Sequence, residues 1–298
     1  MLRTYPMDNK RIKGYTNAIV SAASFGLIPL FSVPVLKEGM HSSTVLIYRF
    51  SFGCFIMLVM LMLNHTRLKI HFGDFLRILF LSSLYAVSSI SLIEGYKYLP
   101  SGIATTLLFS YPVWTSLISV IFLRKSLSLS MVLAIGLAVG GVAMLSGVGS
   151  QGGVRSWTGL VLELLSGFSY AVYMVAFPML RIRRMGALKL NFFIFFFAML
   201  IIALYTWFTE GRIASVGSYS ALWHLFLLGL LPTVVSNVTL IKSLKQIDST
   251  SVAVLGAFEP MTAMCVGIIV FGEPLTFSVV AGFALILVSM LMLILKKG

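Results

Sequence analysis

Charge is scarce in this chain. Asp, Glu, Lys and Arg supply 10% of its 298 residues, well below the roughly 25% of soluble domains, which excludes an ordinary water-soluble globule. The nine acidic residues are Asp8, Glu38, Asp74, Glu94, Glu163, Glu210, Asp248, Glu259 and Glu273. No two of them form the paired motif that general acid–base catalysis needs. An enzyme is therefore not expected, an intramembrane lipid-modifying enzyme being the remote alternative. Two cysteines, Cys54 and Cys265, and four histidines support neither a disulfide framework nor a metal site, since no histidine pair has zincin-like spacing. No Gly-x-x-x-x-Gly-Lys-Ser/Thr loop occurs, so nucleotide-driven work is excluded and no cofactor is expected.

What the sequence has in abundance is apolar length. Hydrophobic residues make up 59% and the mean hydropathy is +1.01, and ten runs approach the length needed to cross a hydrocarbon core of about 30 Å. They cover 15–36, 43–63, 75–96, 102–123, 130–146, 157–180, 188–208, 221–241, 251–271 and 277–295. Basic residues precede the first run, but it continues past Ser21-Ala22-Ala23 to Leu36, which reads as a retained span and not a signal peptide. The formal charge of +13 does not imply nucleic acid, because the basic residues lie in the loops instead of clustering on one surface. With the N-terminus inside, Lys37, Lys97, Arg155 and Arg212 fall outside and Arg49 within the second run, which leaves seventeen of the 22 basic residues inside. This bias predicts that both termini face the cytoplasm, and the expected location is a bacterial inner (plasma) membrane.

The Gly-rich stretch Gly147 to Gly153 divides the chain near its midpoint, with five runs on each side. At an offset of 148, Pro112 aligns with Pro260, Ser101 with Ser249, Leu107 with Leu255, Leu127 with Leu275, Ser130 with Ser278 and Lys97 with Lys245; at 145, Gly14, Ser21 and Ser24 align with Gly159, Ser166 and Ser169. Because five is odd, the second half enters the membrane in the reverse sense. The expected fold is an all-α polytopic membrane protein, ten transmembrane helices arranged as two inverted five-helix repeats (5+5), 1–148 and 154–298.

Near the middle of the ninth run stands Glu259-Pro260, aligned with Tyr111-Pro112 in the fourth. A carboxylate at membrane depth costs about 3 kcal/mol on insertion scales and proline removes a helical hydrogen bond, so neither is there for stability. Glu259 can carry a proton, bind an amino group or pair with Arg49. Arg49 can snorkel outward or turn inward, where its fork suits a carboxylate or phosphate. Pro112 and Pro260 free backbone carbonyls at mid-membrane and are candidate hinges or gates. Tyr111, Trp114, Tyr170 and Tyr173 are candidates for an aromatic cavity lining, and Ser24, Ser236 and Asn237 for hydrogen bonds to a polar solute. Glu94, Glu163 and His224 are expected at the outer ends of their spans, solvated or paired. Gly136 and Gly140 give the fifth span a small-residue face that can pack within the chain or between two chains.

On the ten spans in two halves, the prolines of the fourth and ninth spans, Arg49 in the second, and the ending Phe271-Gly272-Glu273-Pro274-Leu275, the sequence resembles EamA-type members of the drug/metabolite transporter superfamily over about Gly14 to Leu295. It departs where that family often repeats Gly-Glu after the fourth span, having Arg124-Lys125. The resemblance implies a carrier of small organic solutes whose cavity is lined by the first four helices of each half, with the fifth and tenth as supports. The expected function is a secondary transporter, exporting or exchanging small metabolites such as amino acids, with a passive pore of the same fold as the alternative. Expected partners are a small-molecule metabolite, membrane lipid and, if the small-residue face is shared between chains, a second copy in a homodimer; nucleic acid is not among them.

Overall fold

The computed structural model describes residues 9–123, 129–146, 156–180, 185–247, 252 and 255–295. Among them all regular structure is helical: α1 (Asn9–Gly26), α2 (Ile28–Lys37), α3 (Ser42–Leu63), α4 (Phe72–Gly95), α5 (Ser101–Leu108), α6 (Tyr111–Leu123), α7 (Leu129–Ser146), α8 (Trp157–Met179), α9 (Ala187–Glu210), α10 (Tyr219–Gly229), a π-helical turn (Leu230–Val235), α11 (Ser236–Leu244), α12 (Phe258–Phe271) and α13 (Phe277–Leu295). The Gly147 to Gly153 divider, Arg124, Lys125, Leu127, Ser249 and Ser251 lie outside the described residues. Seven helical stretches, 10–37, 42–63, 72–95, 101–122, 157–177, 187–210 and 219–244, are long and apolar enough to cross a membrane. Three shorter apolar helices, Leu129–Leu145, Phe258–Phe271 and Phe277–Met292, fall where the sequence puts the fifth, ninth and tenth spans.

Four of these stretches are broken, each for a chemical reason. The first breaks at Leu27, between Gly26 and a proline in the first turn of α2. Gly26 is required there, because a Cβ at this position would meet the backbone carbonyl of Glu259. The fourth breaks at Phe109-Ser110, so that Pro112 is the second residue of α6. In the ninth, Gly256-Ala257 turn before α12, and Pro260 becomes its third residue. Both prolines thus sit in a first helical turn, where the missing N–H had no intrahelical partner to lose. The eighth stretch contains Pro232 within the π-helical turn, a proline with no counterpart at Leu84, 148 positions earlier.

Packing joins helices that are distant in sequence. α1 packs on α11 and α12, α3 on α9, α4 on α8, α5 on α12, α6 on α8 and α7 on α13. Two contacts are one contact repeated: Ser21 Oγ donates to the Ser236 carbonyl at 2.8 Å, and Ser166 Oγ donates to the Ser88 carbonyl at 2.8 Å. Ser166 stands 145 positions after Ser21, and Ser236 stands 148 after Ser88. The same offsets recur where Gly14 abuts Gln246 and Ile247 while Gly159 abuts Tyr98 and Leu99.

The α7–α13 seam corrects one expectation. Gly141, not Gly136 or Gly140, makes the close approach: a Cβ on Gly141 would lie 2.7 Å from Ile286 Cγ1 and 2.8 Å from the Gly282 carbonyl, whereas Gly136 has nothing within 4 Å. Ser278 Oγ and Ser289 Oγ tie the seam to the carbonyls of Met144 and Ala134 at 2.7 and 2.6 Å. Overpacking a close-packed seam costs about 1–3 kcal/mol. Gly141→Leu is therefore expected to lower the melting temperature in detergent by several degrees, and Gly136→Leu to leave it unchanged; equal melting temperatures for the two would contradict this seam.

Candidate functional site

The broken helices meet around a cavity of about 340 Å³, a volume suited to a small organic solute. Its walls come from α1, α2, α3, α4, α5, α6, α8, α9, α11 and α12, while α7 and α13 contribute nothing among the described residues. Its charged groups are Arg49 and Glu259.

Arg49, on α3, lines this cavity although only 1% exposed. Its Nε donates to Thr233 Oγ1 at 3.0 Å, and that hydroxyl donates onward to the Leu228 carbonyl at 3.1 Å across the π-helical turn. The turn thus positions the arginine. Gly53 and Gly229 let α3 and α10 approach closely enough for this contact, the Arg49 carbonyl lying 3.0 Å from where a Gly229 Cβ would stand. One end of the guanidinium, Nη2, is buried without a hydrogen-bond partner among the described residues. A buried donor left unpaired costs about 1–3 kcal/mol, more when charged, so this fork is organised for an acceptor the protein does not supply.

Glu259 lies in the first turn of α12 and lines the same cavity. A negative side chain there is favoured by the helix dipole. Its carboxylate accepts no hydrogen bond and forms no ion pair with Arg49 among the described residues. The sequence left open whether the two charges pair; they are separate.

Tyrosines complete the lining. Tyr111 meets Tyr170 edge-on with ring centres 5.0 Å apart, Tyr170 stacks on Tyr173 at 5.8 Å, and Tyr173 meets Tyr85 at 5.9 Å. Such pairs hold rings at low entropic cost and present a flat apolar wall. Ser236 and Asn237, on α11, also line the cavity, Asn237 Nδ2 donating to the Thr233 carbonyl at 2.6 Å and its Oδ1 accepting from Asn191 Nδ2 at 3.4 Å.

Two candidates stand off the lining. Trp114 packs edge-on against Phe168 at 5.7 Å with its indole N–H buried and unpartnered, and Ser24 is buried within α1. Pro260 is buried beneath Glu259, and Pro112 belongs to the backbone of α6. The sequence reading overlooked Tyr85, Ser21, Ser88, Ser89, Asn191 and Phe195, all of which line the cavity. A signal for two of them existed: Ser88 and Ser89 are the 148-offset partners of Ser236 and Asn237.

Of the outer-end acids, Glu94 pairs with Lys97 at 2.8 Å, as its spacing predicts. Glu163 does not follow expectation: it is fully buried, seated against Gly95, with neither oxygen partnered among the described residues. His224 Nδ1 lies 2.8 Å from the Ser220 carbonyl on its own helix. No cluster of three metal-ligating side chains occurs among the described residues. Cys54 is buried but Cys265 is exposed on α12, so only the first behaves as an interior thiol. A separate cleft of about 480 Å³, bordered by His41, Glu94, Lys97 and Glu210, contains none of the candidate residues.

Comparison with known proteins gives the family. The sequence profile of the EamA-like transporter family matches the chain twice, at residues 12–147 and 157–295. An uncharacterized transporter of Archaeoglobus fulgidus is 24% identical over 205 residues, covering 68% of this chain and 71% of that protein. A crystal structure of another protein, 16% identical, superposes with a TM-score of 0.65 over 95% of each chain and shares the fold. Together with apolar helices able to span a bilayer, the paired match fixes the assignment: the chain belongs to the EamA-like transporter family and is an integral membrane transporter.

Proposed function

We propose that this transporter is a secondary carrier that exports or exchanges small organic metabolites such as amino acids. It works by alternating access between two inverted five-helix halves, residues 1–148 and 154–298, in a bacterial inner membrane with both termini cytoplasmic. All ten apolar helices, the three short ones included, are spans. Support for the two halves comes from the repeated Ser21–Ser236 and Ser88–Ser166 contacts and from the paired family match.

The observation that carries the substrate class is a single one: an arginine nitrogen and a carboxylate line one cavity, neither has a hydrogen-bond or ion-pair partner among the described residues, and they do not neutralise each other. Two unpaired opposite charges in a low-dielectric site fit a solute that brings both signs, its carboxylate to Arg49 and its ammonium to Glu259. The tyrosine wall takes the apolar part of such a solute, and Ser236 and Asn237 supply polar contacts.

Ligands that bind the native state raise its stability by mass action, by about 2.7 kcal/mol at a hundredfold excess over Kd. In a thermal-stabilisation screen of the purified protein, zwitterionic amino acids are expected to raise the melting temperature more than their amides, decarboxylated amines or N-acetyl forms. Equal stabilisation by all four classes would overturn the zwitterion reading. Saturable exchange in proteoliposomes, in place of electrodiffusive flux, separates a carrier from a passive pore.

A further inference from the structure

Glu273 is the acid that the site does not use. The left-handed Gly272, φ 66°, ends α12, and Glu273 N–H turns back onto the Gly267 carbonyl at 3.0 Å. Its carboxylate reaches the start of α5: Oε1 accepts from Ser101 N–H at 2.6 Å and from Ser101 Oγ at 2.7 Å, and Oε2 accepts from Gly102 N–H at 3.1 Å. Space for it is reserved by two glycines, since a Cβ on Gly102 would lie 3.3 Å from Oε2 and one on Gly267 would meet the carboxylate directly. A carboxylate on a helix N-terminus gains both charge-assisted hydrogen bonds and the dipole. It fastens together chain segments 172 residues apart.

This fastening lies on one face of the molecule. The same face carries Ser43 bonded to Glu210 and Ser218 bonded to Glu38; the opposite, basic face carries Ser243 bonded to Gly14 and Lys189 bonded to the Lys69 carbonyl. The central cavity reaches the basic face, where Phe177, Met185, Ala187 and Leu244 line it, but toward Glu273 it stops at Ile28, Arg49 and Leu92. By the 148 offset, Ser101 corresponds to Ser249 and Glu273 to Lys125. A lysine donates and cannot accept, and it opposes the positive end of a helix, so the sequence offers no mirrored clasp.

We propose that Glu273 is a positioning residue for transport: its clasp on α5 holds the face opposite the basic one closed and must release before the cavity opens there. The cavity reaches the basic face, so the carrier rests open on that side. This rests on the alternating-access reading above.

The test uses the full chain in nanodiscs with Cys54 and Cys265 replaced by alanine and spin labels at positions 98 and 275, whose distance distribution reports opening of the clasped face. The parent is expected to show a major short distance and a minor long one. Loss of a charge-assisted acceptor shifts such an equilibrium roughly tenfold or more, so Glu273→Ala should raise the long population relative to the short at least tenfold. Glu273→Gln and Ser101→Ala should give smaller shifts in the same direction. A helix cap with no part in gating predicts the parental ratio in all three variants. Two distances in the parent with unchanged ratios in Glu273→Ala, or in Glu273→Gln if Glu273→Ala does not fold, overturn the clasp while leaving alternating access intact. One distance in the parent under every condition, including saturating amino acid, overturns both.

Discussion

Glu259→Gln is expected to slow exchange of a zwitterionic amino acid by roughly 10- to 100-fold while the melting temperature of the unliganded protein stays within a few degrees of the parent. The two halves of this outcome have different causes. Glutamine matches the shape of glutamate, and the carboxylate it replaces accepts no hydrogen bond among the described residues, so no native contact is lost. The solute's ammonium, however, loses a charged acceptor worth about 1.5–3 kcal/mol in a site shielded from water. Counterflow in proteoliposomes, using the amino acid that stabilises the parent most, measures the effect. Parental rates in the variant would remove Glu259 from the mechanism; a large drop in melting temperature would make it a structural acid.

Arg49→Met should separate stability from function more sharply still. Removing a buried charge with one unpartnered nitrogen relieves a desolvation cost, and replacing such charges by apolar residues of similar size is often neutral or stabilising. Thr233 keeps its own bond to the Leu228 carbonyl, so no donor is orphaned by the change. The variant is expected to melt at or above the parental temperature and yet lose roughly 100-fold in affinity for solutes bearing a carboxylate. Arg49→Lys should recover little, because a point charge does not reproduce the planar fork. Parental binding by Arg49→Met in the thermal screen would show that the arginine only braces α3 against the π-helical turn.

These two residues were legible in the sequence because each is costly at membrane depth, and cost marks position without any knowledge of packing. The positions of the apolar helices were legible for the same reason, apolar length being the solvent's demand. Less legible was everything that depends on helix rotation. Asn191 is uncharged and tolerable on any face, and only the packing of α9 turns it toward the cavity. Trp114 and Ser24 looked equivalent to their neighbours, and the packing of α6 and α1 turns them away. A small-residue motif names a stretch of α7, but one residue is about 100° of rotation, enough to exchange Gly140 for Gly141. Glu163 was misjudged because depth along a helix was read without Gly95, whose missing side chain makes the seat. The π-helical turn went unseen because Pro232 has no repeat partner to draw attention to it.

The repeated serine contacts bear on how the chain is made. Ser21 hydrogen-bonds to Ser236, 215 residues later, and at synthesis rates of about 5–20 residues per second its partner emerges roughly 10–40 s afterwards. Through that interval α1 must wait in the bilayer with the serine and glycine seam that α11 will cover still open to lipid. The early segment is therefore a half-built surface that a late segment completes, and its survival during synthesis depends on how quickly the remainder of the chain arrives.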